Sequence, residues 1–395
     1  MKITGNRLSV ISCQFERSRE RWLLPITVHR LLITIFYFLL TFNSYLVFSQ
    51  QPNVISATAS GTDDSIKIDT SYLKSYDDKL ILGLWQSERR FDITLDQKIY
   101  SDTSIHSGIN YIANANHISG VSLDYDIIGL AFGYKSVPSG NTRTGNTEYL
   151  DLGLNINTSG FRFENSFRRY SGFYDNNTRN YVHPFNDTTT PYFQNPSLNI
   201  RQIKSKLIYT ISHKRFSLSS AYANQKRQVK SAGSILLIYN FYALSMNSDS
   251  SFIPPPLQKY YGFIWDGLNR LNIYAYSAGV GATRTFVFWK KFYLNIFLGI
   301  GYEEQYRHFY TYPENVHFSY WKTWYAGDWR TSVGYNGKRF FMRATSIYDL
   351  NNYESQDLKF RMNFVMGSFD FGYRFNFKAP KPYKKFRETK VYKML

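Results

Sequence analysis

From Lys79 to Phe377 the chain repeatedly alternates apolar and polar side chains with period two. In Ser368–Phe377 every odd position is aromatic (Phe369, Phe371, Tyr373, Phe375, Phe377), while the even positions include Asp370 and Arg374. Strand side chains point alternately to opposite faces, so one face is aromatic and the other charged. That does not suit a soluble sandwich, whose polar face meets bulk water. It suits a transmembrane barrel with aromatics toward lipid and polar groups toward a wet lumen. In Thr147–Asn157, Leu150, Leu152, Leu154 and Ile156 oppose Asp151, Gly153, Asn155 and Asn157. In Phe161–Tyr170, Phe161, Phe163 and Phe167 oppose Arg162, Glu164, Ser166 and Arg168. Further strands are predicted at 119–125, 127–135, 197–212, 215–225, 233–245, 272–287, 291–302, 324–335, 339–348 and 356–366.

Short turns (124–126, 157–160, 213–215) alternate with long polar loops (137–146, 172–197), which separates a periplasmic from an extracellular side. Asn336-Gly337 is the dipeptide expected in a type I′ hairpin turn. Pro254-Pro255-Pro256 interrupts the rhythm across 247–271. To restore it, either Tyr260–Trp265 is a further strand or Gly367 is a bulge in one long final strand. Phe360, Met362 and Phe364 are read as outward on even positions, before Phe369 and Phe371 on odd ones. The fold class is an all-β, antiparallel transmembrane barrel over 76–377, of twelve to fourteen strands with fourteen favoured.

Composition agrees with the pattern. Aromatics reach 18%, with 34 Tyr and 32 Phe, yet mean hydropathy is negative. Beyond residue 50 no apolar run approaches the roughly 18–20 residues of a membrane helix. The formal charge of +18 is largely terminal: residues 1–50 and 378–395 hold ten of those charges. No nucleic-acid motif accompanies them, so nucleic acid is not an expected partner. Arg17, Arg19, Arg21 and Arg30 precede an apolar stretch from Leu31 to Phe48, then Ser49. This predicts a signal peptide over 1–49, a periplasmic linker over 50–75 and a basic periplasmic tail over 378–395. A retained signal anchor is the competing reading of the leader. Cys13, the single cysteine, falls in that leader, which leaves no thiol chemistry to the remainder.

Phe167–Tyr174, Lys214-Arg215-Phe216-Ser217 and Gln225–Ser234 carry a family resemblance, joined by Tyr111–Asn114, Val333–Asn336 and Gly372–Phe375. The chain resembles a β-barrel family of Gram-negative outer-membrane proteins described only as a domain of unknown function. The resemblance covers roughly residues 70–377, and Lys230-Ser231-Ala232-Gly233-Ser234 is its most specific part. It implies an outer-membrane location, with outer-membrane lipid and the barrel-insertion machinery as partners, and brings no catalytic residues. The tail beyond Phe377 departs from it.

Seven histidines are scattered without metal-ligand spacing, so no metal and no cofactor is expected. His317 and Ser319 share a strand face, as a base and nucleophile would, and resemble the arrangement in outer-membrane phospholipases, but no orienting Asn is assignable. Asp151, Arg162, Glu164, Arg168, Lys206, Lys359, Arg361, Asp370 and Arg374 are expected to line the lumen. They are read either as a plug of ion pairs or as a mixed-charge channel. Six Trp, among them Trp85 and Trp265, are assigned to interfacial girdles. Tyr310, Tyr312, Tyr320, Trp321 and Trp324, with Tyr325, are read as one loop region and a possible glycan surface. The basic tail is a candidate contact for envelope polymers or lipid head groups. The expected function is a non-enzymatic pore or a structural envelope protein. A lipid-acting barrel enzyme and a glycan-binding barrel are the alternatives.

Overall fold

The computed structural model describes residues 68–97, 108–137, 142–311, 316–354, 358–389 and 392. The predicted leader and most of the predicted linker lie outside them. The strands run in order: β1 (Leu73–Ser75), β2 (Lys79–Gln97), β3 (Ile109–Ile112), β4 (His117–Tyr125), β5 (Ile128–Lys135), β6 (Glu148–Asn157), β7 (Phe161–Asp175) and β8 (Phe193–Thr210). There follow β9 (Lys226–Gln228), β10 (Ala232–Asn247), β11 (Leu268–Phe288), β12 (Phe292–Thr311), β13 (His317–Asn336), β14 (Phe340–Glu354) and β15 (Leu358–Asn376). Among the described residues three α-helices, α1 (Ser219–Tyr222), α2 (Pro255–Trp265) and α3 (Lys381–Glu388), and one 3-10 turn (Thr178–Asn180) lie outside the sheet.

Twelve strands close the barrel: β2, β4 to β8 and β10 to β15, each antiparallel to its neighbours. Closure is made by β15 against β2, in one unbroken register from Leu358↔Gln97 to Asn376↔Lys79. The start of β2 and the end of β15 mark the terminal end of the barrel; the opposite end is the far end. There β3 pairs with both β2 and β7, so the wall bypasses β4, β5 and β6. It is twelve strands round at the terminal end and ten at the far end.

Outward positions form an apolar belt. Leu84, Val280, Ile300, Val333 and Phe369 are each more than half exposed. On β12 the belt runs from Phe292 to Tyr302, which at about 3.3 Å per residue step and a tilt near 40° gives a height of roughly 25 Å. That matches the outer surface of a membrane barrel. Within it, Asn165 accepts a hydrogen bond from Ser205 (2.7 Å), so this polar pair satisfies itself.

The strand count settles at the lower end of the expected range for two reasons. Predicted strand 215–225 is not in the wall: it turns into the lumen as α1 and the approach to β9. The last two predicted strands are one, β15, with Gly367 at a regular position of the ladder. Tyr260–Trp265 belongs to α2, whose first turn tolerates Pro255 and Pro256 because no partner is required there for the missing N–H groups. Phe360, Met362 and Phe364 are buried inside the barrel. Even positions of β15 face inward throughout, and what changes along it is the content of the lumen, apolar at the far end and charged at the terminal end. Asn336-Gly337 joins β13 to β14 without positive φ; Trp289 and Lys290 adopt it instead (φ 49° and 61°).

Candidate functional site

The lumen is filled at three depths, and each filling is built by the inward positions of strands plus one inserted segment. At the far end a hydrophobic layer joins Phe91, Ile93 and Leu95 of β2 to Leu244 and Met246 of β10 and to Phe360 and Met362 of β15. The connection between β10 and β11 folds over this layer, bringing Phe252, Ile253, Leu257, Tyr261 and Trp265 into the same core. Two hydrogen bonds pin the cap to the wall: Tyr111 donates to the Phe252 carbonyl (2.7 Å) and Tyr261 to that of Leu95 (2.9 Å).

Below it lies a layer of ion pairs. Arg162 bonds Glu164, which Arg330 bridges to Asp328 (2.9 Å to each), and Asp328 also takes Lys206. Asp349 takes Lys204 (2.7 Å), Asp370 takes Arg343 (2.8 Å), and Asp151 lies between Arg89 and Arg168. Buried charge is costly unless paired, and here both signs interleave across the lumen. The Arg168 guanidinium also lies over the Phe364 ring (4.4 Å), joining the ionic to the apolar layer. A cavity of about 30 Å³ among Lys204, Lys206, Glu303, Asp328 and Asp349 has room for about one water.

At the terminal end the chain between β8 and β10 enters the lumen. Phe216, Leu218 and Tyr222 pack on Ile208, Leu236, Ile238 and Phe297. Backbone carbonyls of the insert accept from the wall: Ala221 from Tyr293 and Ser332 (3.2 Å each), Ser220 from Asn336 (3.1 Å), and Asn224 from Arg374 (2.7 Å). Its last part, β9, pairs antiparallel with β1, and Asn224 to Gln228 are buried. The stretch most specific to the family resemblance thus runs from this insert into β10. Asn336 is held by the same contacts, since it also accepts from Arg374 (2.7 Å) and donates to Lys226 (3.2 Å).

Seven of the nine expected lumen residues therefore face inward: Asp151, Arg162, Glu164, Arg168, Lys206, Asp370 and Arg374. Arg361 does not, because alternation places it opposite the inward Phe360 and Met362; the Lys359 side chain lies outside the described residues. Arg89, Lys204, Asp328, Arg330, Arg343 and Asp349 complete the network and were not anticipated. Parity within β13 was the available signal, since Asp328 and Arg330 alternate with the exposed Trp329.

The aromatic residues of 306–325 do not form one loop surface. They sit on the paired strands β12 and β13, and alternation divides them. Tyr310 stacks on His308 (4.4 Å) and Trp321 packs on Tyr306 (5.1 Å) on the outer face. Tyr320 stacks on Phe309 (5.6 Å), and Trp324 faces Glu303 in register, both on the inner face. Tyr312 lies outside the described residues. His317 and Ser319 are outward and oppose Tyr310 and His308 in register, so no Asn faces either one across the strand pair. Trp85 and Trp265, expected in girdles, point inward: Trp85 lies over Gly120 and Gly133, where a Cβ would collide with its ring, and Trp265 is in the cap.

The tail is docked. Tyr383 (3.0 Å), Arg387 (2.8 Å) and Tyr392 (2.5 Å) all donate to one oxygen of buried Asp126, in the β4–β5 turn. Burial first, then the Asp126 charge, raises the Tyr383 hydroxyl well above its ordinary value. Arg387 also reaches Asp78 (3.1 Å), while Lys381, Lys384 and Lys385 stay exposed.

These features define an antiparallel β-barrel of the transmembrane class with an occupied lumen. The chain belongs to the family described as a domain of unknown function (DUF4421), whose model matches residues 67–375. No curated protein matches the sequence. Among solved structures, it is similar to the outer membrane protease OmpT from Escherichia coli (8% identity, 76% of this chain and 98% of that chain, TM-score 0.37). It is also similar to the beta domain of the Bordetella autotransporter BrkA (12%, 75% and 99%, 0.32). A third similar structure is the Pseudomonas putida toluene transporter TodX (10%, 76% and 91%, 0.26).

Proposed function

We propose that the protein is an integral outer-membrane barrel whose lumen is closed at rest, and that it serves the envelope as a structural barrel. The observation that carries this reading is the filling of the lumen at three depths by an apolar layer, an ion-pair layer and an inserted segment. The apolar belt, the even strand number and the placement of the start of β2 and the end of β15 at one end support a membrane setting. The mixed signs of the ion layer support internal pairing over a selectivity ring, whose charges would share one sign. Density fractionation of cell envelopes tests the location: the chain should sediment with the outer membrane and run faster on gels before heating than after. Liposomes containing it should take up no small sugar. Recovery with the inner membrane, or sugar-driven swelling at the rate of an open porin, would refute the reading.

A further inference from the structure

At the terminal end one arc of turns carries exposed cations and no acid. The β11–β12 turn carries Lys290 and Lys291, and the β13–β14 turn carries Lys338 and Arg339; all four are exposed. None makes an ion pair among the described residues. The acids of this end lie elsewhere: Asp77, Asp78 and Asp126 in the turns flanking β2 and β4, where Arg387 engages the latter two and the Asp77 carbonyl, Asp69 against Arg215 (3.5 Å), and Glu388 on α3. Arg284, on the outer face of β11, lies over the Phe286 ring (5.2 Å) and adds a fifth cation beside the turns.

The turn itself is unusual. Trp289 and Lys290 both take the left-handed conformation (φ 49° and 61°), which Asn-Gly would adopt with far less strain. Trp289 is 84% exposed and meets Phe292 edge-on (5.7 Å, 88°). The outward apolar faces of β11 and β12 therefore continue into an aromatic that no protein surface covers. An interfacial Trp beside lysines is the pattern of a side chain seated at head-group depth.

We propose that this arc, from β11 to β14, is a binding surface for anionic phospholipid headgroups in the leaflet at the terminal end of the barrel. The proposal rests on the membrane reading above. Membrane lipid is favoured over a soluble polyanion because the cations border the apolar belt. Arg284 lies on the outer wall itself, where an anion held in the lipid phase meets it.

The test uses the full chain in nanodiscs of phosphatidylcholine, with or without a third of the lipid replaced by phosphatidylglycerol. Native mass spectrometry reads the lipid retained, and brominated lipids read quenching of Trp289 against a Trp289→Phe blank. The wild type should retain phosphatidylglycerol over phosphatidylcholine by about tenfold, in line with the attraction of several bases to an anionic surface. Substituting Lys290, Lys291, Lys338 and Arg339 together by Gln should bring the preference to within about twofold while the heat-shifted gel band persists. Lys214→Gln with Arg215→Gln, on another turn, should leave it intact. Equal retention by the wild type, or a preference that survives the fourfold substitution, would overturn the proposal. So would arc-dependent binding of soluble polyglutamate without any lipid preference. A chain that never acquires the heat-shifted band would sink the membrane reading itself, and this proposal with it.

Discussion

Arg374 lies at an inward position of β15, and its guanidinium donates to the Asn224 and Gly337 carbonyls and to the Asn336 side chain. It also lies over the Tyr76 ring (4.1 Å). It therefore holds the inserted segment to the wall instead of lining a channel. Removing one partner of a buried charged hydrogen bond costs about 1.5–3 kcal/mol. Arg374→Ala should accordingly raise amide exchange across 218–229 by an order of magnitude or more, with exchange at the far-end cap unchanged; equal protection in both variants would remove Arg374 from this role. Trp289 and Lys290 make the opposite case, strain retained at the surface. Replacing them by Asn and Gly should stabilise the barrel by about 1–2 kcal/mol in urea unfolding from lipid, through relief of left-handed backbone at non-glycine positions. A loss of stability would mean that the pair is held by contacts beyond those of the turn. Inward charge was legible at Asp151, Arg162 and Glu164 because their strands alternate cleanly. Glu303, Gln305 and Arg307 were missed because β12 was expected to end at Tyr302, before the run that places them inside.

At the scale of elements, the wall strands were readable from period two, and the inserted pieces were not. Residues 215–225 carry enough apolar and polar alternation to pass for a strand. Their backbone carbonyls instead meet donors on β12, β13, β14 and β15, and only the folded barrel supplies those donors. The cap was hidden for a different reason: Pro254-Pro255-Pro256 reads as a break in a strand rhythm, while the same residues open α2. The far-end layer inverted the parity argument on β15, since Phe360 and Met362 were expected to face lipid and face a hydrophobic lumen instead. The tail was read as a basic extension for contact with envelope polymers or lipid head groups, yet α3 is clamped through Asp126. Its three donors converge on one carboxylate oxygen, so Asp126→Asn should free the helix. Trypsin cleavage between Lys378 and Arg387 should then accelerate about tenfold or more, as expected when a docked terminus loses its buried anchor. An unchanged cleavage rate would show that the Tyr125–Tyr383 and Tyr125–Phe377 ring contacts (5.2 Å each) suffice.

For the whole molecule, the twelve-strand wall sets a lumen that must be filled by something. β3 narrows the far end to ten strands, which suits an apolar filling made of side chains and one short helix. The wider terminal end takes a chain segment, and the middle pairs buried charges of both signs across the lumen. The surface is divided in the same way, an apolar belt between a basic arc at the terminal end and an ordered cap at the far end. These fillings are proposed to close the lumen. Single-channel recording in a planar bilayer tests this most directly, using wild-type protein whose insertion is verified by its heat-shifted band. The expected result is an inserted, electrically silent barrel that gains discrete steps only when 216–230 and 250–266 are both replaced by short Gly-Ser links. Reproducible conductance steps from the wild type at modest voltage would contradict the closed lumen.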